Sequence, residues 1–350
     1  MVNFIVGSAY WLPTLVPLAI EAKSRGMECV FFTRKNSKSY ADITSGKKEK
    51  SLQKCCQMFG FHLKSIKDVS KYPGLTFLVE GDINGRSEQD NRDSGLWSLG
   101  KQHVKVSLVW NFDFFWTYPK YINSVDYAIF PNEKYAVYYE RLNDKNLYLG
   151  NPKYEIAERV PKEELLKKFH LKPKKSYAVV FYPKYTYFKN HKVSEKDLLA
   201  LYSHLRSLGI SVIVKTRDKD DVKPGPLRGD HYFVEESVFS NTSIELLRVS
   251  RLAILFSSAA LEECVMEGVP FIDIKVHKFN RLEFLHDKRH SRVLDPKTIH
   301  QPEMVTHLRK ILKSESQQSL AITRDKFLFK SQGSCARILD HFSSEGANVK

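Results

Sequence analysis

Cysteine is scarce in this sequence, and the few present form no pattern. Five occur among 350 residues, at Cys29, Cys55, Cys56, Cys264 and Cys335, with no C-x-x-C pair and no Cys/His cluster at metal-ligand spacing. A disulfide scaffold and a zinc module therefore drop out, and a reducing cytosol is the expected setting. Long apolar runs are missing too: no stretch approaches the ~18 to 20 residues of a spanning helix. The apolar start "MVNFIVGSAYWLPTLVPLAIEAK" lacks a basic beginning and contains Pro13 and Pro17, so it is expected to be part of the fold rather than a leader. Neither G-x-x-x-x-G-K-[ST] nor a strand-linked G-x-G-x-x-G occurs, which leaves P-loop and dinucleotide chemistry without support. Nor is there an excess of acid. Lys and Arg number 55 against 40 Asp and Glu, a formal charge of +15, so the field suits nucleic acid, anionic lipid or phosphorylated small molecules.

What is present reads as a soluble globular protein. Hydrophobic residues make up 42%, aromatic 12% and charged 27%, which fits neither a disordered nor a membrane composition, and the length allows two domains with their own cores. The run "VNFIVG", the spacing of Leu15, Leu18, Ala19 and Ala22 up to Gly26, and the run "MECVFFTR" predict a βαβ unit with parallel strands. An amphipathic basic segment at 47–63 and strands at 75–81, 104–110 and 127–131 continue the theme. The polar stretch "DINGRSEQDNRDSGLWSLGKQ" carries no strand or helix signal, and a loop that long is usually functional or mobile. A short charged helix at 162–170 and the polar "KPKKS" separate this half from a second. There the order is strand "YAVVFYP", helix "EKDLLALYSHLRSLG" with Leu198, Leu199, Tyr202 and Leu205 on one face, strand "ISVIVKT", helix "SIELLRVS", strand "LAILF", a helix opening at "SSAALEECVMEGVP", and strand "PFIDIKV". The expected fold is α/β: domains at 1–157 and 177–332, a linker at 158–176, and a C-terminal helix within 333–350 able to pack on either half, with a return to the first in view. Two doubly wound halves make a central cleft, and open parallel sheets bind ligands beyond the carboxyl ends of their strands.

The helix that begins "SSAALEE" focuses the question of function. Ser257 and Ser258 stand where strand becomes helix and suit the capping of its first N–H groups. Ala259 and Ala260 keep bulk away, so an anion can approach the positive end of the helix. Glu262 and Glu263 follow, placed for hydroxyl groups of a ribose whose phosphate rests there, and Gly268 with Pro270 ends the helix. An ordinary αβ unit with serine caps and dipole-favouring acids accounts for the same letters.

This segment resembles the donor-binding helix of GT-B nucleotide-sugar enzymes and is similar to the S-G-G-x-x-E-E-x-x-x-x-G-x-P motif of the non-hydrolysing UDP-N-acetylglucosamine 2-epimerases. The resemblance implies that Ser257 and Ser258 face a diphosphate and Glu263 a ribose, with Glu262 beside it. Two family glycines are replaced by Ser258 and Ala259. "VEGD" at 79–82, "IFPNEKYAVYY" and "LGNPKYE" at 149–155 are similar to other epimerase segments, while "YPKYT" with the later "VIVKTR" resembles the CDP-glycerol glycerophosphotransferases. Epimerases of this family need a glutamate after the middle strand and a histidine at the entrance of the second domain. Trp110 stands at the first position, and "FYPKYTYFKN" has no histidine at the second, so the acid and base groups of epimerisation are missing.

The expected activity is accordingly a metal-independent glycosyltransferase that moves a sugar from a UDP-, GDP- or CDP-linked donor to a glycan or other hydroxyl acceptor, without a further cofactor. Lys184, Lys215 and Arg217, at strand ends facing the cleft, are expected at the phosphates. Asp82 and Asp113 are candidate bases, each equally an ordinary loop aspartate. In "WNFDFFWTYPKY", Asn111 and Trp116 are candidates for the acceptor together with Ser8 and Tyr10 of the first loop, although aromatic residues in such number also build core walls. A polyol-phosphate transferase of the CDP-glycerol type is the rival, weakened by Asn111 where those relatives place a histidine. An epimerase-like enzyme and a non-catalytic nucleotide-sugar binder are further alternatives, and single-stranded nucleic-acid binding is a remote one. The basic surface would also suit peripheral contact with a membrane. The sequence leaves the oligomeric state open.

Overall fold

The computed structural model of the protein describes residues 1–6, 11–33, 46–79, 99–109, 125–136, 145–155, 160–217, 222, 225–234, 242–277, 282–313, 315–328 and 333–344. Two compact units divide it. The first holds Met1–Ile156 and takes back Leu328–Lys350, and the second holds Ala157–Glu236 and Asn241–Phe327.

The first unit is built on seven parallel strands: β1 (Val2–Val6), β2 (Cys29–Thr33), β3 (His62–Ser65), β4 (Gly74–Val79), β5 (His103–Leu108), β6 (Tyr127–Phe130) and β7 (Asn146–Tyr148). Their order is β3-β2-β1-β4-β5-β6-β7. The chain starts in the middle, winds outward to β3, then returns to lay β4 against the other side of β1, so the switch point of the sheet lies between β1 and β4. All five residues of β1 and of β2 are buried, as expected of central parallel strands covered on both faces. Helix Leu12–Ser24 follows β1. Pro13 sits in its first turn, where a missing N–H leaves no bond unmade, and Gly26 closes it at φ +77. Leu12, Leu15, Val16, Leu18, Ala19 and Ala22 of this helix join Phe4, Phe31 and Phe77 in the core.

The basic segment predicted at 47–63 is a helix at Gly46–Phe59 followed by β3. The C-terminal helix Ser334–Ser344 packs against Leu12–Ser24 and adds Cys335, Ile338, Leu339 and Phe342 to the core of this unit. "LGNPKYE" is where it docks. Gly150, at φ +93, lies so close to Ser334 that an added Cβ would stand 2.2 Å from its Oγ. The Glu155 carboxylate accepts the Cys335 N–H at 2.7 Å, and Arg337 Nε donates to Leu149 O. A carboxylate on the first free N–H groups of a helix is a favourable cap.

The second unit repeats the plan with six strands: β8 (Ser176–Phe181), β9 (Ile210–Thr216), β10 (His231–Val234), β11 (Leu252–Leu255), β12 (Phe271–Ile274) and β13 (Ser291–Leu294), in the order β10-β9-β8-β11-β12-β13. Its switch point lies between β8 and β11. Helix Glu195–Ser207 opens on a complete capping box, Ser194 and Asp197 bonding each other's backbone N–H, as the spacing S-x-x-D allows. It buries Leu198, Leu201, Tyr202 and Leu205. Leu199, expected on that face, is 39% exposed, because the helical period carries 198 round to 201 and 202 instead. Helix Lys162–Lys168 packs against Thr242–Val249, with Lys168 paired to the buried Glu245. Helices Glu303–Ile311 and Glu315–Phe327 complete this unit against Glu195–Ser207 and Ala260–Met266 respectively.

Candidate functional site

Within the second unit, β8 has β9 on one side and β11 on the other, so the carboxyl ends of these three strands lie side by side at the spacing of paired strands, about 4.8 Å. Each end delivers predicted residues. Beyond β8, Lys184 is exposed and extended (φ −61, ψ 144) at the start of the short helix Tyr185–Lys189. Lys215 is the penultimate residue of β9, buried, with its Nζ 5.9 Å from the centre of the Phe181 ring on the neighbouring strand. Arg217 follows, half-buried. Beyond β11 come Ser257 and Ser258. The structure thus brings Lys184, Lys215, Arg217 and the serine turn to the carboxyl edge of one sheet, Lys184 and the serine turn flanking its switch point and Lys215 and Arg217 one strand away.

The turn at Ser257 is held from several directions. Ser257 has φ +46, a left-handed conformation that a residue with a Cβ adopts at a penalty. Its N–H donates to Asp273 Oδ1 at 2.7 Å, and its Oγ accepts the N–H groups of Val276 and His277 at 3.1 and 3.3 Å. The expectation that both serines cap the helix is corrected here: Ser258 Oγ accepts the Ala260 N–H at 3.2 Å, whereas Ser257 reaches the chain leaving β12. The left-handed turn swings its side chain away from the helix axis, so only Ser258 meets the first turn. Both hydroxyls accept in these bonds, which leaves their protons to donate to an anion. Glu262 and Glu263 follow in the helix Ala260–Met266, 6% and 8% exposed, so any bond they make to a hydroxyl is made away from bulk water.

Sequence reasoning passed over three residues that build this edge. Asp273, 1% exposed in the middle of β12, anchors the Ser257 N–H; an aspartate inside the apolar strand "FIDI" was the available signal, since an unpaired carboxylate is not tolerated there. Tyr187, buried, has its hydroxyl 2.8 Å from His277 Nε2, the two rings meeting edge to face. Lys192 Nζ donates to Val276 O at 2.8 Å. β11 lies between β8 and β12, so these bonds tie the segments leaving β8 and β12 to one another on either side of the serine turn. Behind Asp273 the His286 ring is buried, and burial, with His290 nearby, pushes its pKa down to about 4. Its Nε2 is 3.8 Å from Asp273 Oδ2, beyond hydrogen-bond distance, and burial prevails over that attraction.

Ser8, Tyr10, Asp82, Asn111, Asp113 and Trp116 lie outside the described residues. In sequence they follow β1, β4 and β5, which are neighbours in the first sheet. Among the described residues no group of three or more His, Cys, Asp and Glu side chains is placed to hold a metal ion, and no helix is long and apolar enough to cross a membrane.

No protein-family description matches the chain. No curated protein matches it by sequence. Solved structures do match in three dimensions. The UDP-GlcNAc 2-epimerase from Neisseria meningitidis, determined bound to UDP-GlcNAc, is 10% identical with a TM-score of 0.60, over 98% of this chain and 99% of its own. Spinosyn forosaminyltransferase is 15% identical with a TM-score of 0.60, over 98% of each chain. A wall teichoic acid polymerase is 12% identical with a TM-score of 0.60, over 99% of this chain and 88% of its own. Identities this low speak to fold alone: the chain has the α/β fold of the GT-B enzymes, glycosyltransferases and UDP-GlcNAc 2-epimerases among them.

Proposed function

We propose that the protein is a metal-independent glycosyltransferase that uses a nucleoside-diphosphate sugar as donor and a hydroxyl group of a glycan or other molecule as acceptor. The observation that carries this reading is the carboxyl edge of the second sheet, where Lys184, Lys215 and Arg217 stand at strand ends beside a turn whose serine hydroxyls retain a proton to donate. Breaking the sugar–diphosphate bond leaves negative charge on the diphosphate, and fixed cations and hydroxyl donors lower the barrier to that charge. Glu263, and Glu262 beside it, hold the ribose hydroxyls. The first unit supplies the acceptor side, with Ser8, Tyr10, Asn111 and Trp116 at the acceptor and Asp82 or Asp113 taking the proton from its hydroxyl as the new bond forms. Trp110 at the position where epimerases carry a glutamate supports transfer over epimerisation. A polyol-phosphate transferase with a CDP-linked donor is the second reading, supported by the likeness to the teichoic acid polymerase.

The test is calorimetry of the full chain with UDP, GDP and CDP, then assays of donor turnover. One nucleotide is expected to bind in preference to the others. Glu263→Ala is expected to weaken that binding by about 1–3 kcal/mol through the lost charge-assisted bonds, with an unchanged circular dichroism spectrum. Affinity equal to that of the native chain would remove the ribose role, and absence of nucleotide binding would remove the function. Asp82→Asn and Asp113→Asn separate the two bases: the true one abolishes turnover while donor affinity stays.

A further inference from the structure

The short helix Tyr185–Lys189, which follows β8, ends in a backbone conformation that residues with a side chain seldom adopt. His191 has φ +52, and this left-handed step folds the chain back: the His191 N–H donates to Phe188 O at 3.0 Å and the Lys192 N–H to Tyr187 O at 2.9 Å. The two bonds are those that close a helix followed by a left-handed residue. Their effect is to place Lys192 beside Tyr187, whose own N–H donates to Lys184 O at 2.8 Å. Lys184, Tyr187 and Lys192 are thereby one hydrogen-bonded unit beyond the carboxyl end of β8.

Two arms leave this unit and meet on a single oxygen. In the first, the Tyr187 hydroxyl lies 2.8 Å from His277 Nε2, the rings edge to face with centres 5.1 Å apart, and the His277 N–H donates to Ser257 Oγ at 3.3 Å. In the second, Lys192 Nζ donates to Val276 O at 2.8 Å, and the Val276 N–H donates to the same Ser257 Oγ at 3.1 Å. Tyr187 is 3% exposed and belongs to the core of this unit, where phenylalanine would fill the same space without the bond to His277.

A hydroxyl oxygen has two lone pairs, and at Ser257 both are taken by the N–H groups of adjacent residues. The direction left for its proton is therefore set by where the segment 276–277 sits, and that segment is held from the helix after β8. A hydroxyl aimed in advance stabilises developing charge without having to reorient.

We infer that Tyr187, Lys192 and His277 are positioning residues for the donor diphosphate: they fix the Ser257 hydroxyl relative to the segment that carries Lys184, so that both meet one diphosphate. This rests on the donor site proposed above. The test is calorimetry of the full chain with UDP, GDP and CDP, each compared with its free nucleoside. Tyr187→Phe is expected to weaken the preferred nucleoside diphosphate about three- to tenfold, the effect of one lost hydrogen bond, and to leave the nucleoside within about twofold. His277→Ala and Lys192→Met should act alike, and His277→Gln, which keeps a group able to bond the Tyr187 hydroxyl, should recover most of the loss. In the Ser257→Ala chain, with no hydroxyl left to aim, none of these changes should weaken the diphosphate further. If that chain does not fold, the recovery in His277→Gln still decides. A native chain that binds none of the three nucleotides would remove the donor site and this inference with it. Native binding untouched by Tyr187→Phe and His277→Ala, an equal fall for the free nucleoside, or a further fall in the Ser257→Ala chain would overturn the inference and leave the site standing.

Discussion

Ser257 combines an unfavourable backbone conformation with three hydrogen bonds that exist because of it. At φ +46 a glycine would relax the backbone by about 1 kcal/mol, yet glycine and alanine both remove the oxygen that accepts the Val276 and His277 N–H groups. Leaving the buried Val276 N–H without a partner costs about 1–3 kcal/mol, whereas the exposed His277 N–H can turn to water. Ser257→Ala is therefore expected to destabilise the second unit by that amount, and Ser257→Gly by about 1 kcal/mol less, as read by urea unfolding. Equal losses would mean that the left-handed turn stores no strain. The same scale explains the cysteines. All five are buried, and burial raises Cys29 to about 11 and Cys55 and Cys56 to about 12, so they serve as small core residues rather than nucleophiles. Asp273 is the other residue of consequence: it holds the Ser257 N–H from a strand that reads as purely structural.

At the scale of elements, the docking of the last helix depends on a missing side chain. A Cβ at Gly150 would stand 2.2 Å from Ser334 Oγ and 2.9 Å from Arg337 Nη2, at a φ of +93 that alanine resists. Gly150→Ala should cost about 2 kcal/mol or more and should make Ser334–Ser344 the first segment cut in limited proteolysis. Ser334→Gly in the same chain should restore part of the loss, and no recovery would point to backbone strain alone. The central strands were legible as β-branched and aromatic runs, because both their faces are buried. β3 (HLKS), β7 (NLY), β10 (HYFV) and β13 (SRVL) were not. They lie at sheet edges and are short and partly exposed, and their positions follow from pairing with a neighbour rather than from any periodicity of their own. The helices Glu303–Ile311 and Glu315–Phe327 carry a weak signal for a related reason: the first buries only Met304, Leu308 and Ile311 among polar and charged residues, and the second buries Ser316, Ser319 and Thr323 with Leu320 alone as a large apolar residue.

The whole molecule should lose stability as acid is added. His103, His231, His286, His290 and His307 all have pKa values lowered chiefly by burial, His286 to about 4. The unfolded chain takes up protons near pH 6.5 that these folded rings refuse. Their contribution is therefore complete above about pH 6.5 and is lost as the pH falls below it, for His286 down to about pH 4. For His286 alone the span amounts to about 3 kcal/mol. Urea midpoints should fall steadily from pH 7 to pH 4.5, less steeply in His286→Gln, and a level profile would contradict the burial of these rings.

The sequence by itself determined the α/β class and the alternation that yields two parallel sheets, because fully buried strands and one-sided helices write their periods into the chain. It also marked Lys184, Lys215, Arg217 and the serine turn as residues at strand ends. Only the tertiary structure decided that these ends are neighbours, since strand order is a property of pairing and not of succession. Tertiary structure alone likewise revealed the Asp273 anchor and the bond between Tyr187 and His277. Each joins residues far apart in the chain, and no local pattern records which distant partner a side chain will meet.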